Sequence, residues 1–400
     1  MSRDSAFRIA GLKVYTLAPG KGAGTYFQKG DSDHWITESL IANPMSGHAP
    51  YRARRSSWGI DVLDSIVVEI ATEAGTTGVA TGSGGMPAAW LISNHFRRFI
   101  EGEDARNINL IWDRLYRATL PYGRKGLPIQ AMSAVDLALW DLNGKVRGEP
   151  VYNLIGGRAK DEITFYCTGP DAAAIKEMGF WGAKVPLPEG PHDGEAGLQR
   201  NHAFLAAHRD AVGPGFPLMV DCYMALDVSY ATRLATACAA LDIYWWEEVL
   251  SPDDVEGYRR LRQAHPTLKW TTGEHEYTRY GMRQLIEERT LDILQPDVMW
   301  VGGLTETLRI AAHAAAYDIP IVPHGSGPYS YHFIASRAEP AFCEYVAASA
   351  DGRSIAPVFG ALFTGEPVPE NGRMTIPDTP GFGMELAARE RLREVPADAG

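Results

Sequence analysis

Eight short β-like runs recur along the second part of the chain, each ending in polar residues and followed by a stretch of helical periodicity. They are Ile163–Cys167, Ala183–Val185, Leu218–Cys222, Ile243–Glu247, Trp270–Glu274, Ile293–Asp297, Ile321–His324 and Phe342–Val346. Strands that alternate with helices pair in parallel, because each helix carries the chain back to the start of the sheet. Eight parallel strands close most economically into an α/β barrel whose active site lies at the carboxyl ends of the strands. Such a barrel takes about 250 residues. The 400 residues of this chain therefore leave room for a second, smaller domain.

The opening third is patterned differently. Ile66–Ile70 reads as a strand in a mixed region, and the Gly-, Ser- and Pro-rich stretch from Pro19 to Trp58 predicts a long connection that serves as a lid. Ser133-Ala-Val-Asp136 has the spacing of a helix N-cap, with Val135, Ala138, Leu139, Leu142 and Val146 on one face of the helix that follows. From Glu366 onward the tail, rich in Pro and Gly, no longer alternates and is expected to return to the first domain. The expected fold is α/β: a modified TIM (β/α)-barrel over residues 136–360, with a smaller α+β N-terminal capping domain over 1–135 carrying the lid loops. Residues 361–400 form the tail that completes the cap. A net charge of −11 argues against nucleic acid and anionic membrane surfaces as partners, and no run reaches the ~18 apolar residues of a membrane helix. Four widely separated cysteines and a start without a charged-then-apolar leader predict a reduced, cytoplasmic protein.

Six of the runs carry a residue of catalytic type at or near their ends: Asp221, Glu247, Glu274, Asp297, His324 and Glu344. The spacings are 26, 27, 23, 27 and 20 residues, each close to one strand-plus-helix unit, so a barrel brings all six to one rim. Asp221, Glu247 and Glu274 on adjacent strands suit a hard dication such as Mg²⁺, and without a Cys pair or His-x-His zinc is disfavoured. Glu248 rivals Glu247, but strand alternation points the two to opposite sides. His324 ends an apolar strand one unit after Asp297, where a carboxylate can orient the imidazole as a base. Lys184 can supply positive charge to the same rim, and His275 can meet a substrate or cap a loop. Glu344 has to be protonated to donate to an oxyanion, a state that neighbouring acids favour; structural hydrogen bonding is its alternative.

Several stretches then carry a resemblance: Asn43-Pro-Met-Ser46, the helix Ser133 to Asp141, Val151 to Gly157, Trp246-Glu-Glu248, Gly273-Glu-His275, Gln295-Pro-Asp297, Val322-Pro-His-Gly325 and Pro380-Gly-Phe-Gly383. Together they resemble the mandelate racemase branch of the enolase superfamily, across nearly the whole length. The resemblance implies Mg²⁺ on Asp221, Glu247 and Glu274, His324 as acid/base with Asp297 behind it, and Glu344 as an electrophilic partner of the substrate. It also makes His34 and Arg55 similar to lid residues that bind a sugar acid. A small aldonic acid is the implied substrate, dehydration the implied reaction, and a homo-oligomer the implied assembly. Racemases of this branch often place a second Lys two residues after the first, where this chain has Pro186 after Lys184-Val, so a single base is expected. Which aldonic acid is used stays open, because Gly327-Pro328 departs from the pattern beyond His324.

Overall fold

A four-stranded antiparallel sheet opens the chain in the computed structural model, which describes residues 5–17, 34–52, 63–339 and 341–398. Strand β1 (Ile9–Leu17) pairs with β2 (Ser65–Thr72), in register Leu12 to Ile70 and Val14 to Val68. β2 in turn pairs with β3 (Thr77–Ser83) across a tight hairpin in which Gly75 takes φ 88°. On the other edge of β1 lies the short strand Leu392–Glu394, so the end of the tail completes this sheet. The long helix Leu127–Arg147 packs directly on β3. Its approach is close because β3 has glycines there: a Cβ on Gly78 would lie 2.4 Å from the Ala138 carbonyl oxygen, and one on Gly82 2.8 Å from the Ala134 methyl.

This helix corrects one sequence expectation. It begins at Leu127, led by Gly126 at φ 67° and with Pro in its first turn, so Ser133 sits inside it and caps nothing. The Ser133 hydroxyl instead donates to the Ile129 carbonyl (2.9 Å) and accepts from the Gly302 N–H (2.9 Å), joining the cap to the barrel. Val135, Ala138, Leu139 and Leu142 are buried as their spacing predicts.

The barrel strands are β4 (Ile163–Thr168), β5 (Ala183–Pro186), β6 (Leu218–Asp221), β7 (Ile243–Glu247), β8 (Trp270–Thr272), β9 (Ile293–Leu294) and β10 (Cys343–Val346). They form a curled parallel sheet in the order β10-β4-β5-β6-β7-β8-β9. The eighth run, Ile321–His324, is held on β9 by two isolated bridges, Leu294 to Ile321 and Asp297 to His324, and forms no full strand. Among the described residues no ladder joins it to β10; the Gly325 N–H donates across that seam to Glu344 (2.7 Å). Among the described residues seven laddered parallel strands therefore stand where the sequence predicts eight. The pairing is lost where Pro296 and Pro323 remove backbone donors.

Tyr166, Met219, Trp245, Ile293 and Val322 pack together inside the barrel, with Phe342 against them. Side chains two residues apart share a face of a strand. One step up from this plug therefore stand Thr168, Asp221, Glu247, Gln295, His324 and Glu344. No helix among the described residues is long and apolar enough to cross a membrane.

Cap, helix and tail meet at Asp141. Its buried carboxylate accepts from the Val79 N–H (2.8 Å) and the Phe382 N–H (2.9 Å) and pairs with Lys145 (2.9 Å). Asp141→Ala is expected to cost about 3–5 kcal/mol by leaving these donors and Lys145 without their partner, measured by urea unfolding. A loss below about 1 kcal/mol would show that the junction carries little of the stability.

Candidate active site

The mouth of the barrel gathers Asp221, Glu247 and Glu344 around one buried cation. Lys184 is fully buried on β5, and its ammonium donates to Glu247, lies 2.9 Å from Glu344 and 3.8 Å from Asp221. Burial alone would lower its pKa, yet Glu247 and Glu344 outweigh this and hold it well above the ordinary lysine value. Lys184 is therefore a fixed positive charge and not a base. Glu247 also accepts from the Trp245 indole (3.0 Å) and the Gln295 amide (2.7 Å), so three donors set its position.

The acids outnumber this single ammonium. Burial pushes Glu274 up to about 8, only partly opposed by His324, and pushes Glu247 up to about 7 against the pull of Lys184. The Glu274 Oε2 atom is buried and accepts no hydrogen bond. An excess of buried carboxylate, offering oxygen ligands only and including an orphaned oxygen, fits a hard dication held by Asp221, Glu247 and Glu274. A tighter trio also exists: ligand atoms of Glu248, Glu274 and His275 lie within 4.8 Å of one another. In that trio, however, Glu248 already accepts from the Thr272 hydroxyl (3.1 Å) and pairs with His275 Nδ1 (2.8 Å), so its oxygens are engaged. The donor chemistry favours the first set.

His324 and Asp297 meet as their spacing predicts. His324 Nδ1 lies 2.8 Å from Asp297 Oδ2, while Asp297 Oδ1 accepts from the Met299 N–H (2.7 Å) and the Ser326 hydroxyl (2.8 Å). An acceptor fixed in this way sets the tautomer and leaves Nε2 for chemistry. Nε2 lies 3.5 Å from Glu274 Oε2. Burial lowers the His324 pKa, but Glu274, Asp297 and Glu344 raise it further, to about 10.

Glu344 departs from expectation. Its buried carboxylate accepts from Lys184, the Thr168 hydroxyl and the Gly325 N–H, and these donors with His324 overcome burial and hold it down at about 2. It is an ionised acceptor that anchors Lys184 and closes the barrel seam. It is not the proton donor expected from acid crowding, because the cation beside it outweighs the neighbouring acids.

His34 caps the short helix Trp35–Glu38 and accepts from the Ile36 N–H (3.3 Å). It lines a small cavity together with Asp297, His324, Ser326, Val346 and Val358. The Trp35 indole donates to the Ala347 carbonyl (2.8 Å), docking this lid segment on the end of β10. Arg55 and most of the expected lid lie outside the described residues. Trp300 stands between the two site histidines, with its ring 5.2 Å from His324 and 5.4 Å from His275, and its indole donates to Ser83 of the cap (3.1 Å). A larger cleft of about 710 Å³, lined by residues 116, 120–125, 252, 253, 255, 276–278, 280, 281, 283 and 284, contains none of the expected site residues.

Sequence reasoning missed Trp245, Gln295, Thr168, Ser326 and Trp300. The first three had a signal: each stands an even number of residues along a strand from a plug or site residue. Ser326 and Trp300 lie on loops and had none.

Residues 38–156 match the mandelate racemase/muconate lactonizing enzyme N-terminal domain, and residues 171–391 match the enolase C-terminal domain-like family. The chain belongs to this branch of the enolase superfamily. It is 48% identical to L-rhamnonate dehydratase of Saccharopolyspora erythraea over 373 residues, 93% of this chain and 95% of that one. The crystal structure of rhamnonate dehydratase from Gibberella zeae complexed with Mg superposes with a TM-score of 0.94 at 55% identity, covering 97% of this chain and 96% of that one. The 3,6-anhydro-D-galactonate cycloisomerase of Zobellia galactanivorans is more distant, at 28% identity and a TM-score of 0.78 over 96% of this chain and 99% of that one.

Because Glu274 and Glu247 are pushed up to about 8 and 7, both bind protons at pH 6 that a dication must displace. Mg²⁺ affinity is therefore expected to rise as pH increases from 6 to 8.5, with proton release on binding. Calorimetry in buffers of different ionisation enthalpy measures both; an affinity flat across this range would contradict the ligand assignment.

Proposed function

We propose that this chain is a Mg²⁺-dependent acid-sugar dehydratase, a hydro-lyase that converts L-rhamnonate to 2-keto-3-deoxy-L-rhamnonate and water. The observation that carries this reading is the His324–Asp297 pair, 2.8 Å apart and beside an excess of buried carboxylates. The identity to two rhamnonate dehydratases over almost the whole chain supports the substrate.

Asp221, Glu247 and Glu274 would hold the Mg²⁺. When bound, the ion supplies Lewis-acid stabilisation of the negative charge that develops on the substrate carboxylate. Lys184 adds a fixed positive charge in a dry site, where it costs no reorganisation. Glu274, whose Oε2 lies 3.5 Å from Nε2, is the largest of the carboxylate influences that raise the His324 pKa, and a dication held on Glu274 would offset it. His324 Nε2 is then free to take the proton from C2, while Asp297 stabilises the imidazolium. The same nitrogen returns the proton to the 3-hydroxyl, which leaves as water, and the resulting enol ketonises to the 2-keto-3-deoxy acid. Pro186 provides no second base on the other face. His34, His275 and Arg55 bind the hydroxyl groups and the carboxylate. The four cysteines, free and buried, support a reducing, cytoplasmic compartment, and the resemblance supports a homo-oligomer.

Purified protein with Mg²⁺ is expected to release 2-keto-3-deoxy product, detected as semicarbazone, from L-rhamnonate in a panel of aldonic acids that includes L-mannonate and L-lyxonate. These share the stereochemistry near the carboxylate, so slower turnover of them is consistent with the reading, whereas preference for either reassigns the substrate. Silence on every acid with Mg²⁺ bound would remove the dehydratase reading and leave a sugar-acid binding protein. His324→Asn should lower kcat by at least about 10³-fold with Mg²⁺ binding retained; turnover near wild type would remove His324 as the base.

A further inference from the structure

β7 ends at Glu247, and continued alternation would send Glu248 to the outside of the barrel. It is buried at the rim instead, because its backbone turns to φ 47°, a left-handed conformation that non-glycine residues avoid. Two backbone bonds hold the turn: the Glu248 N–H donates to the Thr271 carbonyl (2.9 Å) and its carbonyl accepts from the Met224 N–H (2.5 Å). Strain of this kind persists only where the surroundings over-determine it, and it collects at functional sites. The outcome is that Glu248 faces His275, with Oε2 2.8 Å from Nδ1 and Oε1 accepting from Thr272.

The His275 ring is held on its other sides by Tyr223, edge-on at 5.5 Å, and by Trp300 at 5.4 Å. Trp300 also packs on His324, so two carboxylate-supported imidazoles flank one indole. A carboxylate can only accept, so the hydrogen of the Glu248 pair resides on Nδ1 of His275 and Nε2 becomes the nitrogen available to a ligand. We propose that Glu248 is a positioning residue for substrate recognition: it locks the orientation and tautomer of His275 so that Nε2 meets a hydroxyl of the aldonate. This rests on the reading of the chain as an aldonate dehydratase and assigns Glu248 a task separate from metal binding, despite its neighbour Glu247.

The test uses the full-length protein with Mg²⁺. Glu248→Ala and His275→Ala are each expected to raise KM for L-rhamnonate about tenfold or more, with a smaller change in kcat. The double variant should be no worse than His275→Ala, since both changes remove one interaction. Mg²⁺ affinity should stay within about twofold of wild type in Glu248→Ala. Additive KM effects, or a loss of Mg²⁺ affinity on the scale of Glu274→Gln, would overturn the proposal. If Glu248→Ala does not fold, Glu248→Leu keeps most of the volume without an acceptor for Nδ1 and should still raise KM, and an unchanged KM would overturn it. If the wild-type protein turns over no aldonate, the dehydratase reading fails and the positioning claim is read by nitrogen-15 histidine NMR. There His275 should carry its proton on Nδ1 in the wild-type protein and lose that preference in Glu248→Ala; an unaltered tautomer would contradict the proposal.

Discussion

The mouth of the barrel holds several carboxylates that burial would neutralise, and one ammonium keeps them organised. Lys184 touches Glu247 and Glu344 and stands 3.8 Å from Asp221, with essentially no exposure to water. Buried like charges repel strongly at low dielectric, and Lys184 offsets only part of that repulsion. Burial first, and repulsion from the neighbouring carboxylates after it, raises the pKa values of Glu274 and Glu247. Against burial, carboxylates of the same site raise the His324 pKa, Glu274 most among them. On the proposed reading, metal binding and activation of the base are two consequences of the same electrostatic imbalance.

The fold supports this imbalance with geometry. The aromatic and aliphatic plug of Tyr166, Met219, Trp245, Ile293 and Val322 excludes water from below, and the next inward-facing positions on the strands are the site. From above, the cap reaches down through Ser83 to Trp300, and the lid segment docks Trp35 on Ala347. Glu344 works in both directions, holding Lys184 and bridging the seam where pairing between His324 and β10 is missing. The charge that organises the site therefore also helps to close the barrel.

Much of this was legible in the sequence, because strand-plus-helix spacing is a property of the chain itself. The regular intervals among Asp221, Glu247, Glu274, Asp297, His324 and Glu344 required only a barrel to converge. What was not legible depended on contacts across the fold. Glu344 has its pKa lowered by Lys184 and Thr168, 160 and 176 residues away in the chain, and acid counting alone predicted the opposite shift. Ser133 resembled a cap locally, but Gly126 and Pro128 start that helix earlier. Strand alternation placed Glu248 outside, and only the left-handed turn at its own backbone brings it in.

A crystal structure with Mg²⁺ tests the central claim most directly. The account predicts the ion at about 2.1 Å from oxygens of Asp221, Glu247 and Glu274, with the Lys184 ammonium drawn away from Glu247 toward Glu344 and the Glu248–His275 bond intact. An ion seated on Glu248, Glu274 and His275, with Lys184 still on Glu247, would contradict it.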